Sequence, residues 1–277
     1  MIKLNKNKKL HQPLKDALAS NNIYKNSMTK GVFLLPNLIT SLSLLSGFYS
    51  IINSIEGKYQ VAGWLIIASI FFDGIDGKVA RLTNTSSKFG IEYDSLSDLI
   101  AFGAAPSVLV FKWFLIGYGR LGWVAVFVYL LGAALRLARF NVQRNSVEYN
   151  KFMGLPSPAA AGTVVSFLFF MTEFSLKTAL ISEIMLILIV VAGLLMISNI
   201  GYFAMKDFSV FKRRAFESLV LLLLILIIII IKPVESLFAI FLLYSFISPL
   251  LYFYLVNVKI KKNKEMREAV FWRACGR

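Results

Sequence analysis

The stretch Asp73–Asp98 reads DGIDGKVARLTNTSSKFGIEYDSLSD and is the most informative part of the chain, because it places four aspartates within or beside strongly apolar segments. The whole chain has only 15 acidic residues, so four aspartates in one short stretch are a concentration of negative charge. Asp73 and Asp76 have helical i,i+3 spacing, and Asp94 and Asp98 have i,i+4 spacing, so each pair shares one helix face. An aspartate costs roughly 2.5–3.5 kcal/mol near the centre of a bilayer on insertion scales. We therefore expect these carboxylates to be functional.

Small residues accompany both carboxylate pairs. Gly77 and Ala80 share the predicted helix face of the first pair, and Gly90 shares that of the second, which leaves room for a bulky ligand to approach the backbone. Four convergent carboxylates repel one another unless protons or cations neutralise them, and hard oxygen ligands suit Mg²⁺, Mn²⁺ or Ca²⁺. The alternative is a structural cluster of capped or salt-bridged aspartates. We disfavour it because Arg81 alone cannot neutralise four charges.

The composition predicts an all-α integral membrane protein. Hydrophobic residues make up 57% of the chain and the mean hydropathy is +0.69, above the values typical of a soluble domain. Most of the apolar segments reach the ~20 residues that cross a bilayer as a helix. We predict eight transmembrane spans, of which the fifth and seventh are short enough that the number could be smaller. The spans are 32–54, 60–82, 91–113, 120–141, 156–172, 181–203, 216–231 and 234–256.

The basic residues predict the orientation of these spans. With both termini in the cytoplasm, only five of the 30 lysines and arginines face outwards, namely Lys58, Lys112, Arg120, Lys177 and Lys232. This bias obeys the positive-inside rule and supports an even number of spans. The net charge of +15 then reflects topology and attraction to anionic lipids. Nucleic-acid binding is disfavoured, because the chain shows no soluble basic module with interleaved aromatic residues.

The loop between the second and third spans, Thr83–Phe89, is short and polar, so the two spans are expected to be antiparallel. One span enters the membrane where the other leaves it. We therefore expect the two aspartate pairs to meet at matching depth, in a cavity open to the cytoplasmic leaflet.

These residues resemble the signature of the CDP-alcohol phosphatidyltransferases, D-x-x-D-G-x-x-A-R-x(8)-G-x(3)-D-x(3)-D. All eight fixed positions match at the family's spacing: Asp73, Asp76, Gly77, Ala80, Arg81, Gly90, Asp94 and Asp98. The motifs PNLIT at 36–40, RLARFN at 136–141 and GLPSPAA at 154–160 are similar to the phosphatidylserine synthase branch of that family. The resemblance implies a catalytic six-helix core over 32–205 and two additional helices over 206–258. A basic N-terminal arm, 1–31, and a basic tail, 259–277, flank them.

The resemblance also implies the chemistry. Two divalent cations, Mg²⁺ or Mn²⁺, would bind Asp73, Asp76 and Asp94, while Asp98 would touch the second cation and act as the base that deprotonates the acceptor hydroxyl. The implied reaction transfers a phosphatidyl group from CDP-diacylglycerol to L-serine and releases CMP. A homodimer in the inner cell membrane is the implied assembly. The implied CDP-lipid contacts are Asn37, Thr40, Gly77, Ala80, Arg81, Ser87 and Gly90.

The sequence gives weaker evidence for the acceptor site than for the metal site. Arg136 and Arg139 are candidates for holding the carboxylate of an amino-acid acceptor, which suits a bidentate guanidinium. They could equally anchor the helix end among lipid headgroups or help to hold the pyrophosphate. Asn141 is expected to cap the end of the same helix.

Two alternatives to the serine reaction stay open. The same chemistry could use glycerol phosphate, inositol phosphate or choline as the acceptor. A cation transporter could instead use the four carboxylates as its transport site. Transporters commonly show inverted repeats or broken helices in both halves of the chain, whereas this chain concentrates its intramembrane acidic charge in one hairpin.

Overall fold

The computed structural model describes residues 36–82, 87–143, 152–173, 178–202, 223, 227–247 and 249–250. Within these ranges the chain is almost entirely helical, as the sequence predicts. The longer helices are α1 Pro36–Ile55, α2 Tyr59–Leu82, α3 Lys88–Tyr118, α4 Arg120–Gln143, α5 Ser157–Glu173, α6 Thr178–Ile197 and α7 Pro233–Ile247. Two short strands, β1 Phe152–Met153 and β2 Gly201–Tyr202, pair antiparallel and join the start of α5 to the end of α6.

Five of the described helices, α1 to α4 and α6, are long and apolar enough to cross a membrane. The prediction of an all-α, multi-pass membrane protein is thus confirmed. The number of eight spans stays a prediction, because most of span 216–231 lies outside the described residues and span 234–256 is described only in part. The basic arm 1–31 and the tail 259–277 also lie outside them.

The bounds of helices α3 and α6 differ from the predicted ones. Helix α3 is longer than the predicted span 91–113, since it begins at Lys88 and runs for 31 residues. Ser87 caps its start, where the side-chain oxygen accepts a hydrogen bond from Gly90 N at 2.9 Å, as an N-cap serine does. Helix α6 ends at Ile197 rather than near residue 203, because the chain turns there into strand β2.

Helix α3 changes its winding directly after Asp98. It is α-helical over Lys88–Asp98 and then forms a π-helical turn over Leu99–Ala104. Helix α4 supports this turn, since the buried Tyr129 hydroxyl donates a hydrogen bond to the Phe102 carbonyl oxygen at 2.9 Å. Such π turns are frequent at functional sites. The part of α3 that carries the acidic residues therefore keeps regular α-helical spacing, and the π-helical turn follows it in the chain.

Small polar residues and glycines bring the helices close together. Ser43 on α1 and Ser69 on α2 are both buried, and their hydroxyl oxygens lie 2.7 Å apart. Helices α4 and α6 meet at two glycines, because a Cβ on Gly132 would lie 2.5 Å from the Gly193 carbonyl oxygen. Small residues and interhelical hydrogen bonds are the usual means by which membrane helices associate. Helix α1 is thus joined to α2 by a buried side-chain hydrogen bond, and α4 is joined to α6 by close backbone packing.

Candidate active site

Helices α2 and α3 bring three aspartates together. One carboxylate oxygen from each of Asp73, Asp76 and Asp94 lies within 4.8 Å of the others. The Asp76 residue is only 5% exposed, and burying an ionised carboxylate is costly unless it is paired or binds a metal. Three hard oxygen donors at this separation form a set that could hold a divalent cation such as Mg²⁺ or Mn²⁺.

The fourth aspartate lies one turn further along α3. Asp98 is outside the group of three, but its side chain shares a hydrogen bond with that of Asp73. Asp98 also interacts electrostatically with Asp94. The structure therefore places all four aspartates of the hairpin at one site, with Asp73 in contact with both the group of three and Asp98.

Helix α1 contributes a hydrogen bond that orients one carboxylate. The buried Thr40 hydroxyl donates to Asp76 Oδ2 at 2.7 Å. The Thr40 backbone is held in turn, since Ser97 Oγ on α3 donates to the Thr40 carbonyl oxygen at 3.2 Å. A residue expected to contact the CDP-lipid thus hydrogen-bonds a candidate metal ligand, which is the kind of contact that orients a ligating carboxylate.

The other residues predicted to bind the CDP-lipid surround the same hairpin. A Cβ on Gly90 would lie 3.2 Å from Asn37 Oδ1 and 3.2 Å from Ser87 Oγ, so these three residues are neighbours at the start of α3. A Cβ on Gly77 would meet nothing within 4 Å, and the backbone of α2 is open there. Ala80 and Arg81 lie on the last turns of α2, and their side chains are outside the described part of the structure.

The two candidate arginines take different positions. Arg136 on α4 interacts electrostatically with Asp73 and Asp98. Its Nη1 donates a hydrogen bond to Ser157 Oγ at 2.8 Å. Its Nε is buried without a hydrogen-bond partner among the described residues. Arg139 Nη1 instead donates to Asn199 Oδ1 at 3.1 Å, at an exposed position beyond α6. The described contacts therefore bring Arg136, and not Arg139, to the carboxylates.

The expectation that Asn141 caps a helix end is wrong. Helix α4 continues to Gln143, and the Asn141 side chain crosses to α3, where Oδ1 accepts from Ser95 Oγ at 3.1 Å and Nδ2 donates to Glu92 Oε2 at 3.2 Å. Glu92 and Ser95 are three residues apart and so lie on one face of α3. That spacing is the signal that could have revealed this polar contact between α3 and α4.

An aromatic pair lies on the first turns of α3. The rings of Phe89 and Tyr93 stack with centroids 5.9 Å apart, and the Tyr93 hydroxyl lies 2.8 Å from Ser41 Oγ on α1. Neither aromatic residue was singled out by the sequence pattern. Their contact with α1 fixes the first turns of α3 beside Asn37.

The family model of the CDP-alcohol phosphatidyltransferases matches residues 33–198 of the chain. This protein belongs to the CDP-alcohol phosphatidyltransferase family. The matched part contains α1 to α6, and so the whole of the carboxylate site, while α7 lies beyond it. The protein is accordingly a membrane-embedded transferase, and an acidic metal site of this kind is consistent with the family.

Curated relatives are similar over much of the chain. A CDP-diacylglycerol–serine O-phosphatidyltransferase of Helicobacter pylori is 38% identical over 236 residues, which covers 84% of this chain and 97% of the relative. One of the same name from Methanocaldococcus jannaschii is 38% identical over 62% of this chain and 74% of its own. An archaetidylserine synthase of Methanothermobacter thermautotrophicus is 37% identical over 61% of this chain and 69% of its own.

Proposed function

We propose that this protein is a CDP-diacylglycerol–serine O-phosphatidyltransferase, which makes phosphatidylserine and CMP. The observation that carries the proposal is the group of three carboxylates from Asp73, Asp76 and Asp94, with Arg136 of α4 in electrostatic interaction with Asp73 and Asp98. A guanidinium at the edge of an acidic metal site can hold the carboxylate of an amino acid and keep its hydroxyl near the reacting phosphate. The relatives from Helicobacter and Methanocaldococcus are CDP-diacylglycerol–serine O-phosphatidyltransferases by name, which supports serine as the acceptor.

The metal site would be built by the four aspartates. Asp73, Asp76 and Asp94 would hold the first of two divalent cations, Mg²⁺ or Mn²⁺, and Asp98 would contact the second. When bound, such cations neutralise pyrophosphate oxygens and stabilise the departing CMP. The three carboxylate oxygens within 4.8 Å of one another support this assignment, and the Thr40 hydroxyl would keep Asp76 oriented.

Asp98 would be the general base. Its carboxylate would take the proton of the serine hydroxyl, and the serine oxygen would form a bond to the phosphorus that carries diacylglycerol. The bond from that phosphorus to the CMP oxygen would break, and CMP would leave with the electron pair. Asp98 suits this role because it shares a hydrogen bond with Asp73, a proposed metal ligand, and interacts electrostatically with Arg136, the residue proposed to hold the acceptor.

The CDP-lipid would lie along the open face of α2 and the start of α3. Gly77 leaves the α2 backbone accessible, since a Cβ there would meet nothing within 4 Å. Ala80 would extend this open face, and Arg81 would pair with a phosphate. Asn37, Ser87 and Gly90, which are neighbours at the start of α3, would contact the nucleotide end, and Thr40 would contact the CDP-lipid from α1.

The proposed site would open to the cytoplasmic leaflet of the inner cell membrane, with both chain termini in the cytoplasm. The distribution of the lysines and arginines supports this orientation. The proposed catalytic core is 32–205, and 206–258 would add two helices outside it. The family resemblance supports a homodimer embedded among membrane lipids.

A CMP release assay tests the proposal. Purified protein is mixed with CDP-diacylglycerol and either Mg²⁺ or Mn²⁺, and candidate alcohols are added one at a time: L-serine, glycerol 3-phosphate, inositol phosphate and choline. We expect CMP release with L-serine and with none of the other alcohols. Addition of EDTA should abolish this release. Release with another alcohol but not with serine would overturn the serine assignment and leave the reaction class intact.

The arginines are tested by separate substitutions. We expect Arg136→Ala to raise the apparent KM for serine roughly ten- to a hundredfold, the cost of losing a hydrogen bond to a charged group. Serinamide lacks the carboxylate, so it should be a poor acceptor for the unaltered protein and lose much less from the substitution. Arg139→Ala should have the smaller effect, because Arg139 is bound to Asn199. A fall in CDP-lipid affinity with an unchanged serine KM would assign Arg136 to the pyrophosphate.

A further inference from the structure

The buried serine at the start of α5 holds the guanidinium of an arginine from α4. Ser157 Oγ accepts a hydrogen bond from Arg136 Nη1 at 2.8 Å, and Ser157 is fully buried. The two residues are 21 positions apart in the chain and lie on different helices. The described residues give the Arg136 side chain no other hydrogen bond. The orientation of this guanidinium therefore depends on Ser157.

The turn that precedes Ser157 is fixed to the end of α6. Gly154 N donates to the Ile200 carbonyl oxygen at 2.9 Å, and Leu155 N donates to the Leu195 carbonyl oxygen at 3.0 Å. Gly154 has a φ of +82°, a backbone conformation that favours glycine. Strands β1 and β2 pair at the same place. The Ser157 hydroxyl thus has a position that the backbone on both sides of the turn defines.

The guanidinium of Arg136 keeps donors for a further partner. A guanidinium carries five N–H donors in a fixed plane, and Ser157 accepts from Nη1. Arg136 Nε is buried and has no hydrogen-bond partner among the described residues. A buried donor without a partner is costly, so we expect this nitrogen to receive an acceptor atom from a bound ligand. A carboxylate suits it, because its two oxygens can accept from two guanidinium donors at once.

We propose that Ser157 is a positioning residue for the acceptor, whose hydroxyl holds Arg136 so that the remaining guanidinium donors meet the acceptor's carboxylate. This inference rests on the proposed role of Arg136 in binding serine. It gives the GLPSPAA motif at 154–160 a part in acceptor binding, because the turn of that motif sets the position of the Ser157 hydroxyl. Ser157 itself would touch the arginine and not the acceptor.

The test is a double-mutant cycle on Ser157→Ala and Arg136→Ala, read by steady-state kinetics in detergent–lipid micelles. We expect Ser157→Ala to raise the apparent KM for serine about tenfold, the lower end of the cost of losing one hydrogen bond to a charged group. The kcat and the KM for CDP-diacylglycerol should stay unchanged. Serinamide lacks the carboxylate, so its kinetics should change little. In the Arg136→Ala background, Ser157→Ala should have no further effect.

A matched control is Ser166→Ala on the same helix. Ser166 is also fully buried, and its hydroxyl donates to the Thr163 carbonyl oxygen of α5 at 3.2 Å. Its serine KM should equal that of the unaltered protein. A second variant, Ser157→Cys, keeps a side chain of similar shape but offers only a weak acceptor, and it should raise the serine KM in the same direction. If Ser157→Ala lowers the melting temperature, Ser157→Cys decides by the same comparison.

The outcomes separate this inference from the proposed function. If Arg136→Ala raises the serine KM and neither Ser157 variant does, the inference about Ser157 is overturned and the proposed function stands. Equal losses with serine and serinamide, or a Ser157→Ala effect that persists without Arg136, also overturn it, because both indicate a general structural role. An unchanged serine KM in Arg136→Ala instead refutes the proposed acceptor site itself.

Discussion

Asp73 is the residue that links the parts of the site. Its carboxylate belongs to the group of three and also shares a hydrogen bond with Asp98. Asp73→Asn removes the ligand charge with little change of shape, so we expect the fold to persist and CMP release to fall. A bound cation contributes several kcal/mol to transition-state stabilisation, which corresponds to a loss of roughly a hundredfold or more.

The matched control for Asp73→Asn is Glu56→Gln, which also neutralises one acidic side chain. Glu56 lies in the turn before α2 and pairs with Lys58 at 2.7 Å, and an exposed pair of this kind contributes little to stability. Its activity should equal that of the unaltered protein. Normal turnover in Asp73→Asn would show that the carboxylate cluster does not hold the catalytic metal.

Asp98 can be separated from the metal ligands by comparing binding with turnover. Asp98→Asn removes the proposed base and leaves Asp73, Asp76 and Asp94 in place. We therefore expect turnover to fall strongly, while CDP-diacylglycerol still binds in the presence of Mg²⁺ or Mn²⁺. Binding can be measured by calorimetry or by ligand-induced thermal stabilisation. Complete loss of CDP-lipid binding would assign Asp98 to metal holding or structure instead.

Thr40 is expected to act through Asp76. Its hydroxyl donates to Asp76 Oδ2 at 2.7 Å, so Thr40→Val should leave that carboxylate less well oriented. Loss of such an orienting partner typically lowers metal affinity 10–100-fold, and we expect the cation concentration for half-maximal activity to rise by about that factor. Thr172→Val is the control, since the Thr172 hydroxyl bonds only to carbonyls of its own helix among the described contacts. An unchanged metal requirement in Thr40→Val would refute this role.

At the scale of helices, the sequence predicts which residues share a face and that the acidic faces of α2 and α3 meet, but not the individual side-chain contacts between helices. The i,i+3 and i,i+4 spacings place Asp73 with Asp76 and Asp94 with Asp98, and the short loop makes α2 and α3 antiparallel. The hydrogen bond from Thr40 to Asp76 and the contact between Asn141 and Ser95 join residues that are 36 and 46 positions apart in the chain, and no local pattern encodes them. The π turn after Asp98 accepts a hydrogen bond from the Tyr129 hydroxyl of α4, a contact that periodicity within α3 could not predict.

The contact between α4 and α6 should be sensitive to a single methyl group. A Cβ on Gly132 would lie 2.5 Å from the Gly193 carbonyl oxygen, so Gly132→Ala must push the helices apart. We expect a loss of about 1–3 kcal/mol, the usual cost of overpacking, seen as a lower melting temperature in detergent. Gly74→Ala is the matched control, because a Cβ there meets nothing within 4 Å and alanine is the better helix former. Equal stability of the two variants would contradict the close packing.

At the scale of the whole molecule, the hydropathy pattern predicts an all-α membrane protein and the positions of its apolar helices, because both follow from local composition. The roles of the two arginines could not be separated in the same way. Arg136 and Arg139 have the same chemistry and i,i+3 spacing, and only the packing of α5 and α6 against α4 gives one a contact with Ser157 and the other a contact with Asn199. The functional difference between them is a property of the assembled bundle.

The orientation of the bundle can be tested with the native chain, because Cys275 is its only cysteine. Cys275 belongs to the basic tail, which the positive-inside rule assigns to the cytoplasm and which anionic lipids on that side attract. A membrane-impermeant maleimide should therefore label it in sealed inside-out vesicles and not in right-side-out ones. Lys58 lies in the exposed turn between α1 and α2, so Lys58→Cys combined with Cys275→Ser should give the reverse pattern. Labelling of Cys275 from outside would place the tail, and with an even number of spans both termini, on the other side of the membrane.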